Sequence, residues 1–276
     1  ALFGVSVAQV NLLVDTMFAS FLPVGSVTWL YYTDRLTDFP LGVFGVAIAT
    51  VILPHLAKKH SANENAQFSK TLDWGLRMIL LVGIPAGIGL IVFAMPLVAT
   101  CFGYGQFLEI DIAQTQKSLM TLSFGVPAFM VIKVLASGFY SKQNIKTPVK
   151  VGATAMLVNS LLCAVLIVPL KHAGLTLASS LAGYFNALTL LILLYRRDIY
   201  RPEQGWGKFS LQVLAANLMM GAYLFLVKND LSYWYHLKVA SRLGLLMAHV
   251  FVAMVIYVLT LLATGLKLKE FRGLGK

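Results

Sequence analysis

Three charged residues, Asp34, Arg35 and Asp38, lie in the stretch 31–40 (YYTDRLTDFP), within a largely apolar part of the chain. On a helix, Asp34 and Asp38 share a face at i,i+4 spacing, and Arg35 meets Asp38 at i,i+3. A guanidinium presents a planar fork of donors that pairs bidentately with phosphate, and it stays charged when partly dehydrated. The cluster therefore predicts an anion site, with Arg35 as the binding cation and either aspartate holding it while the site is empty.

Span lengths predict that this cluster lies inside a membrane helix. The apolar run after it, 41–57, is shorter than the ~20 residues that a crossing needs, and the strongest upstream breakers are Pro23 and Gly25. The helix is therefore predicted to begin near Ser26. Charged side chains at such depth are costly and mark substrate or ion pathways. Two alternatives stay open: an interfacial ion pair beside an aromatic belt, and a permanent Arg35–Asp38 pair that locks helix packing.

Other polar residues in apolar runs suggest further ligand contacts. Lys133 either points inward, adding a second cation to the same cavity, or snorkels toward the end of its own helix. Asp15 and Asn159 offer oxygen ligands that suit a hard monovalent cation such as sodium, although interhelical hydrogen bonds explain them as well. The five histidines show no metal-ligand spacing, so no metal site is predicted.

Composition indicates an all-α integral membrane protein. The chain is 58% hydrophobic and 12% charged, with a mean hydropathy of +0.79, whereas soluble domains carry roughly 45–50% apolar and ~25% charged residues. The apolar runs are too long and uniform for a β-barrel. They predict one transmembrane domain of eight helices, at 1–22, 26–57, 76–100, 119–140, 148–170, 173–195, 209–227 and 243–266. Because the chain begins with Ala1 rather than Met, we expect a fragment or a processed piece.

Loop charges predict the orientation of these helices. Fourteen lysines and arginines fall on one side, and five on the other. The first set is Lys58, Lys59, Lys70, Lys142, Lys146, Lys150, Arg196, Arg197, Arg201, Lys208, Lys267, Lys269, Arg272 and Lys276; the second is Lys117, Lys171, Lys228, Lys238 and Arg242. The richer side, with the C-terminus, is predicted to be cytoplasmic. The net charge of +11 is then topological, and no nucleic-acid partner is needed to explain it.

The sequence also bears on mechanism. Gly83, Pro85, Gly87, Gly89 and Pro96 predict a kinked or locally unwound third span, a feature that often serves as a hinge in transporters. Phosphate loops, nucleophile elbows and metalloprotease motifs are absent from the sequence, so an enzyme is not predicted. Transport would be driven by the membrane potential or by an ion gradient, with no cofactor.

Two segments, 31–40 and 133–150 (KVLASGFYSKQNIKTPVK), closely resemble the MurJ (MviN) lipid II flippases, and the similarity continues through 169–175 to the basic tail. That family belongs to the multidrug/oligosaccharidyl-lipid/polysaccharide exporter type of bundle and has fourteen helices. The chain looks like the last eight. The resemblance implies a bacterial inner-membrane protein that flips lipid II, the undecaprenyl-diphosphate-linked peptidoglycan precursor for cell-wall synthesis, by alternating access. It also implies that six N-terminal helices are the partner that completes the cavity.

The resemblance implies roles for individual residues too. Arg35 matches an arginine that lines the central cavity and meets the diphosphate, and Asp34 and Asp38 match its acidic neighbours. Family members more often carry Glu at the position of Asp38. Some relatives bind sodium at a site that Asp15 and Asn159 would match in part. Cys163 replaces the second carboxylate expected there, which leaves sodium binding open.

Three alternatives differ from lipid II transport. The first is another exporter of the superfamily, which would carry drugs or other lipid-linked oligosaccharides. A drug-cation exporter, however, should lack a central arginine. A membrane transferase acting on the same lipid is another, with His172 and Lys171 as its acid/base candidates. A non-transporting scaffold that binds cell-wall enzymes is the third, and it would tolerate replacement of Arg35.

Overall fold

The computed structural model describes residues 16–266, and within this range the chain is helical with no strand. Its elements are α1 (Ser26–Pro40), a π-helical stretch (Leu41–Val46), α2 (Ala47–Ser61), α3 (Asn65–Val92), α4 (Ala94–Phe102), α5 (Glu109–Ser123), α6 (Val126–Tyr140), α7 (Lys146–Leu170), α8 (His172–Arg196), α9 (Trp206–Val227), α10 (Leu231–His236) and α11 (Val239–Ala263). The predicted all-α membrane class is confirmed.

Seven spans of the described residues are long and apolar enough to cross a membrane. They are Ser26–Ser61, Asn65–Val92, Glu109–Tyr140, Lys146–Leu170, His172–Arg196, Trp206–Val227 and Val239–Ala263. Each overlaps one of the predicted apolar runs from the second to the eighth, although Asn65–Val92 begins eleven residues before the predicted run 76–100. Most of the first run, 1–22, lies outside the described residues. Helix α1 begins at Ser26 after Gly25, whose φ of 101° is a left-handed conformation that favours glycine.

Successive spans alternate in direction, which gives the bundle two ends. At the Gly25 side, the indole Nε1 of Trp29 donates to the carboxylate of Asp111 over 2.8 Å, which joins the start of α1 to the start of α5. At the Ser61 side, the hydroxyl of Ser69 donates to the carbonyl of Arg201 over 3.0 Å, joining α3 to the α8–α9 connection. Polar contacts therefore fix both ends, while apolar packing fills the middle.

The first described span, Ser26–Ser61, is not a regular α-helix. Pro40 ends α1, and Leu41–Val46 continues as a π-helical stretch before α2 begins. Proline has no N–H to donate to the carbonyl four residues earlier, so a wider turn is a natural consequence. The extra residue in this turn rotates everything after it about the helix axis. Gly45 consequently becomes buried and faces α6.

The third predicted span is interrupted, as its glycines and prolines indicated. Helix α3 runs through Pro85 and ends at Val92, and Phe93 (φ −103°, ψ 18°) separates it from α4. Pro85 leaves the carbonyl of Leu81 without its helical donor. The hydroxyl of Tyr257 on α11 donates to that carbonyl over 2.7 Å. A neighbouring helix thus restores the hydrogen bond that the proline removes, as a membrane interior requires.

A similar repair occurs in the span Glu109–Tyr140. This span breaks near Phe124, three residues before Pro127, and helix α8 lies alongside the break. The hydroxyl of Ser180 donates to the carbonyl of Leu122 over 3.1 Å, and that of Tyr184 donates to the carbonyl of Phe124 over 2.9 Å. Side-chain hydroxyls on α8 therefore hold the joint between α5 and α6.

Candidate functional site

Arg35 lies on α1, and its guanidinium carbon sits 4.8 Å from the ring centroid of Tyr31, one turn earlier. Arg35 and Asp38 are both exposed, and they form no ion pair within 4.0 Å. The Arg35–Asp38 pair expected from the i,i+3 spacing is therefore absent from the structure. A cation over an aromatic face is attracted by the ring quadrupole. Tyr31 therefore positions the guanidinium, and Asp38 and Asp34 also attract it electrostatically.

Lys133 reaches across to the span that carries Arg35. A Cβ built on Gly45 would lie 3.1 Å from its Cδ and 3.3 Å from its Cε, so the lysine stem packs directly on this glycine. Lys133 is half-buried and does not run along its own helix. Gly45 is ten residues beyond Arg35, about 15 Å along the helix axis. Lys133 therefore contacts the span that carries Arg35, but at a point distant from Arg35 itself. A cavity shared by the two cations remains a prediction.

Among the described residues, one face of the span Ser26–Ser61 is exposed from Tyr31 to Val51. Tyr31, Arg35, Phe39, Val46 and Val51 follow one another at roughly helical intervals, and each is exposed. The opposite face carries the buried Thr33 and Thr37 and packs on the bundle. Arg35 thus stands on the face of this span that the rest of the described chain leaves uncovered.

An aromatic cavity lies beside Arg35, toward the Gly25 side. Its volume is about 480 Å³, and Tyr32 of α1 forms one wall. The ring centroid of Tyr32 is 4.4 Å from that of Phe102 and 5.1 Å from that of Phe107. Asp111 lines the same cavity. Sequence reasoning considered the neighbouring aromatics only as an interfacial belt, in one of its alternatives. It did not foresee a cavity, because the connection 103–108 closes it from a distant part of the chain.

The proposed sodium ligands cannot be compared as a pair, because Asp15 lies outside the described residues. Asn159 is 2% exposed, and its side-chain oxygen accepts a hydrogen bond from the hydroxyl of Ser179 on α8 over 3.4 Å. The thiol of Cys163, one turn along α7, lies 3.8 Å from the same oxygen. Asn159 therefore takes part in interhelical hydrogen bonding, the alternative interpretation, and sodium binding remains a prediction.

His172, the histidine considered for a transferase, is packed into the bundle. It is 3% exposed, its ring centroid is 4.9 Å from that of Trp29, and its Nε2 donates to the carbonyl of Gln114 over 3.1 Å. Lys171 adopts a positive φ of 52° and is exposed. These contacts give His172 a positioning role at the start of α8.

A buried acidic centre at the Ser61 side was missed by sequence reasoning. Asp73 is 3% exposed, and one of its oxygens accepts hydrogen bonds from the Tyr200 hydroxyl (2.7 Å), the Trp206 indole (2.7 Å) and the Glu203 amide (3.2 Å). Its second oxygen accepts from Nε of Arg77 over 2.8 Å. Burial, and then the hydrogen bond to Asp73, raise the pKa of Tyr200 well above its usual range. The signal in the sequence was an Asp and an Arg at i,i+4.

Arg242 was also misjudged from sequence, because it was counted as a loop cation. It is 6% exposed and donates to four backbone carbonyls, those of Ala99, Gly103, Tyr235 and Leu237. The first two belong to the end of α4, where helix carbonyls lack intrahelical donors. Arg242 therefore caps α4 and ties it to α11.

Comparisons with known proteins agree on one family. A family model described as "Lipid II flippase MurJ" matches residues 1–262. The chain is 42% identical to the "Probable lipid II flippase MurJ" of Haemophilus influenzae, over 97% of this chain and 53% of that protein. It is 40% identical to the Vibrio cholerae protein of the same description, over 99% of this chain and 52% of that protein.

The fold gives the same result. A solved structure described as "Lipid II flippase MurJ, inward closed conformation" matches with a TM-score of 0.74 and 25% identity, over 92% of this chain and 50% of that one. The chain thus spans about half the length of the curated relatives it matches.

Proposed function

Because the chain belongs to the MurJ family of lipid II flippases, we propose that it forms one half of the path by which lipid II crosses the membrane. In this proposal Arg35 binds the diphosphate. The observation that carries it is the exposed guanidinium of Arg35 on the open face of Ser26–Ser61, stacked on Tyr31 and not paired with Asp38. Its fork of donors is therefore available to a phosphate.

The other residues take supporting roles in the proposal. Asp34 and Asp38 limit the net positive charge near Arg35 and help release the diphosphate after crossing. Lys133, held on Gly45, supplies a second cation farther along the same span. A charge at membrane depth needs either water or a partner group. The open face therefore favours a water-filled cavity as its surroundings.

The partner that closes this cavity is, in the proposal, the other half of the full-length protein. The chain covers about half of its relatives, and the face of Ser26–Ser61 that the described residues leave exposed extends from Tyr31 to Val51. The missing half corresponds to the six helices that precede this chain in the family. Alternating access then consists of the two halves rocking about this face, driven by the membrane potential or by a sodium gradient.

The proposal orients the Ser61 side toward the cytoplasm of the bacterial inner membrane. Its described loops carry the exposed Lys58, Lys70, Arg196 and Arg197. On the opposite side Arg242 is engaged by backbone carbonyls, so it contributes little as a free loop cation. Lys117, Lys171 and Lys238 are the exposed cations on that side, so the described loops keep the positive-inside asymmetry that the sequence count predicts.

Depletion–rescue of a flippase-deficient bacterium tests the proposal. The full-length parent carrying Arg35→Ala should fail to restore growth and lipid II export. Arg35→Lys should rescue poorly, because lysine keeps the charge but loses the bidentate fork. Arg196→Ala, which removes an exposed arginine from the Ser61 side, is the matched control and should rescue fully. Normal export with Arg35→Ala at wild-type protein levels would refute the role of Arg35.

A further inference from the structure

The cavity beside Arg35 has the composition of a site for a neutral, hydroxyl-rich ring. Tyr32 and Phe107 provide apolar ring surfaces, while Gln106 and Asp111 provide polar groups at its edge. Small-molecule sites commonly combine aromatic walls with a few placed polar groups. A pyranose has matching features, because its C–H faces are apolar and its hydroxyls lie around the rim.

The acceptor in this cavity is held in a fixed orientation. One oxygen of Asp111 accepts from the indole of Trp29 over 2.8 Å, and the other accepts from the amide of Leu108 over 2.9 Å. A carboxylate has about four acceptor sites, so two hydrogen bonds leave capacity for a ligand hydroxyl. Asp111 is thus a pre-oriented acceptor, and little side-chain entropy is lost when a ligand binds to it.

The cavity and Arg35 share one stripe of α1. Gly25, Thr28 and Tyr32 line the cavity, and Arg35 continues their i, i+3, i+7, i+10 spacing, which places all four on one helix face. Three residues separate Tyr32 from Arg35, about 4.5 Å of helix rise. A group bonded directly to a diphosphate on Arg35 would therefore lie at the mouth of the cavity.

We propose that this cavity binds the sugar joined to the diphosphate, so that Arg35 and the cavity hold adjacent parts of one lipid-linked substrate. This inference rests on the proposed function and deepens it. An ammonium group fits less well, because Arg35 lies one turn away and its guanidinium repels a second cation. The amide of Gln106 and the hydroxyl of Thr28 both donate and accept, which suits a sugar and not a donor-only cation.

Binding to the full-length protein in phosphatidylglycerol nanodiscs tests the inference. The two ligands are undecaprenyl diphosphate and the same lipid carrying the disaccharide without peptide. The wild type should bind the sugar-bearing lipid about tenfold more tightly, which corresponds to ~1.4 kcal/mol. Gln106→Ala removes an exposed amide and should reduce this ratio about threefold, while Phe107→Leu should bring it close to one. Neither should change affinity for undecaprenyl diphosphate.

Controls separate this inference from the proposed function. Phe44→Leu, an exposed aromatic on the same span outside the cavity, should keep the wild-type ratio. Arg35→Ala should weaken both lipids equally. If the wild type binds neither lipid, the proposed function fails; if it binds both equally, only the sugar site is refuted. Loss of the ratio when phosphatidylethanolamine replaces phosphatidylglycerol would indicate an amine occupant and overturn the sugar assignment.

Discussion

Replacing Asp73 should destabilise the bundle more than any other single acidic substitution at the Ser61 side. Its carboxylate joins α3 to the α8–α9 connection and to the start of α9 through Tyr200 and Trp206, and it pairs with Arg77. The Asp73→Ala substitution leaves these buried donors without an acceptor. Removing one partner of a buried ion pair costs about 3–5 kcal/mol, and Asp73 is 3% exposed. We therefore expect a loss in this range.

The free-energy loss converts into a measurable change in melting temperature. For chains of 150–250 residues, 1 kcal/mol corresponds to about 2–4 °C, so Asp73→Ala should lower Tm by roughly 10 °C in detergent. Tryptophan fluorescence gives a local readout, because the indole of Trp206 loses its 2.7 Å hydrogen bond. Asp73→Asn should lie between the alanine variant and the wild type, since its amide keeps one acceptor but turns an N–H toward another donor.

A matched control sits in the same region. Glu64 pairs with Lys59, and their side chains are 45% and 33% exposed. Glu64→Ala removes a carboxylate from solvent-exposed surroundings, where ion pairs contribute little, at a residue with an ordinary φ of −86°. Its Tm should stay at the wild-type value. Equal Tm shifts for the two alanine variants would refute the argument that Asp73 stabilises the fold because it is buried, and not merely because it forms an ion pair.

Two further predictions concern buried tyrosines. Burial raises the pKa of Tyr200 above the unfolded value of ~10, so the folded state keeps its proton at higher pH and the free energy of unfolding should fall by up to ~1.4 kcal/mol per pH unit there. Tyr200→Phe should remove this part of the alkaline slope in a pH series of unfolding curves. An unchanged slope would contradict the prediction. Tyr257→Phe leaves the carbonyl of Leu81 without its donor and should cost about 1–3 kcal/mol. Pro85→Ala restores an amide donor to the same carbonyl, so the double variant should lose less stability than the sum of the single variants, and strict additivity would count against this explanation.

The positions of the spans could be predicted because a bilayer imposes a minimum apolar length. The start of α1 at Ser26 followed from the breakers Pro23 and Gly25 before it, and the structure places it there. The span 26–57 was predicted as continuous across Pro40, and a proline does not by itself choose between a kink, a break and a π-helical stretch. The burial of Gly45 under Lys133 depends on that choice, so it could not be foreseen.

Side-chain partners were less predictable than spans. At Arg35, the side chain can turn toward Asp38 at i+3 or toward Tyr31 at i−4, and spacing allows both. The structure has the second arrangement. Asp73 was overlooked because its main partners, Tyr200 and Trp206, lie 127 and 133 positions away in the sequence. A single sequence carries no signal for contacts over such distances.

The distribution of polar contacts explains how the described residues can hold their fold while Arg35 stays on an exposed face. The centre at Asp73 fixes the Ser61 side, and the Arg242 cap and the Trp29–Asp111 hydrogen bond fix the Gly25 side. All three involve buried or half-buried groups. Arg35 takes part in none of them. In the proposed function this separation matters, because the guanidinium of Arg35 can exchange one set of partners for another without breaking these contacts. A residue that stabilised the fold through a permanent ion pair could not bind and release a diphosphate without unfolding cost at every cycle.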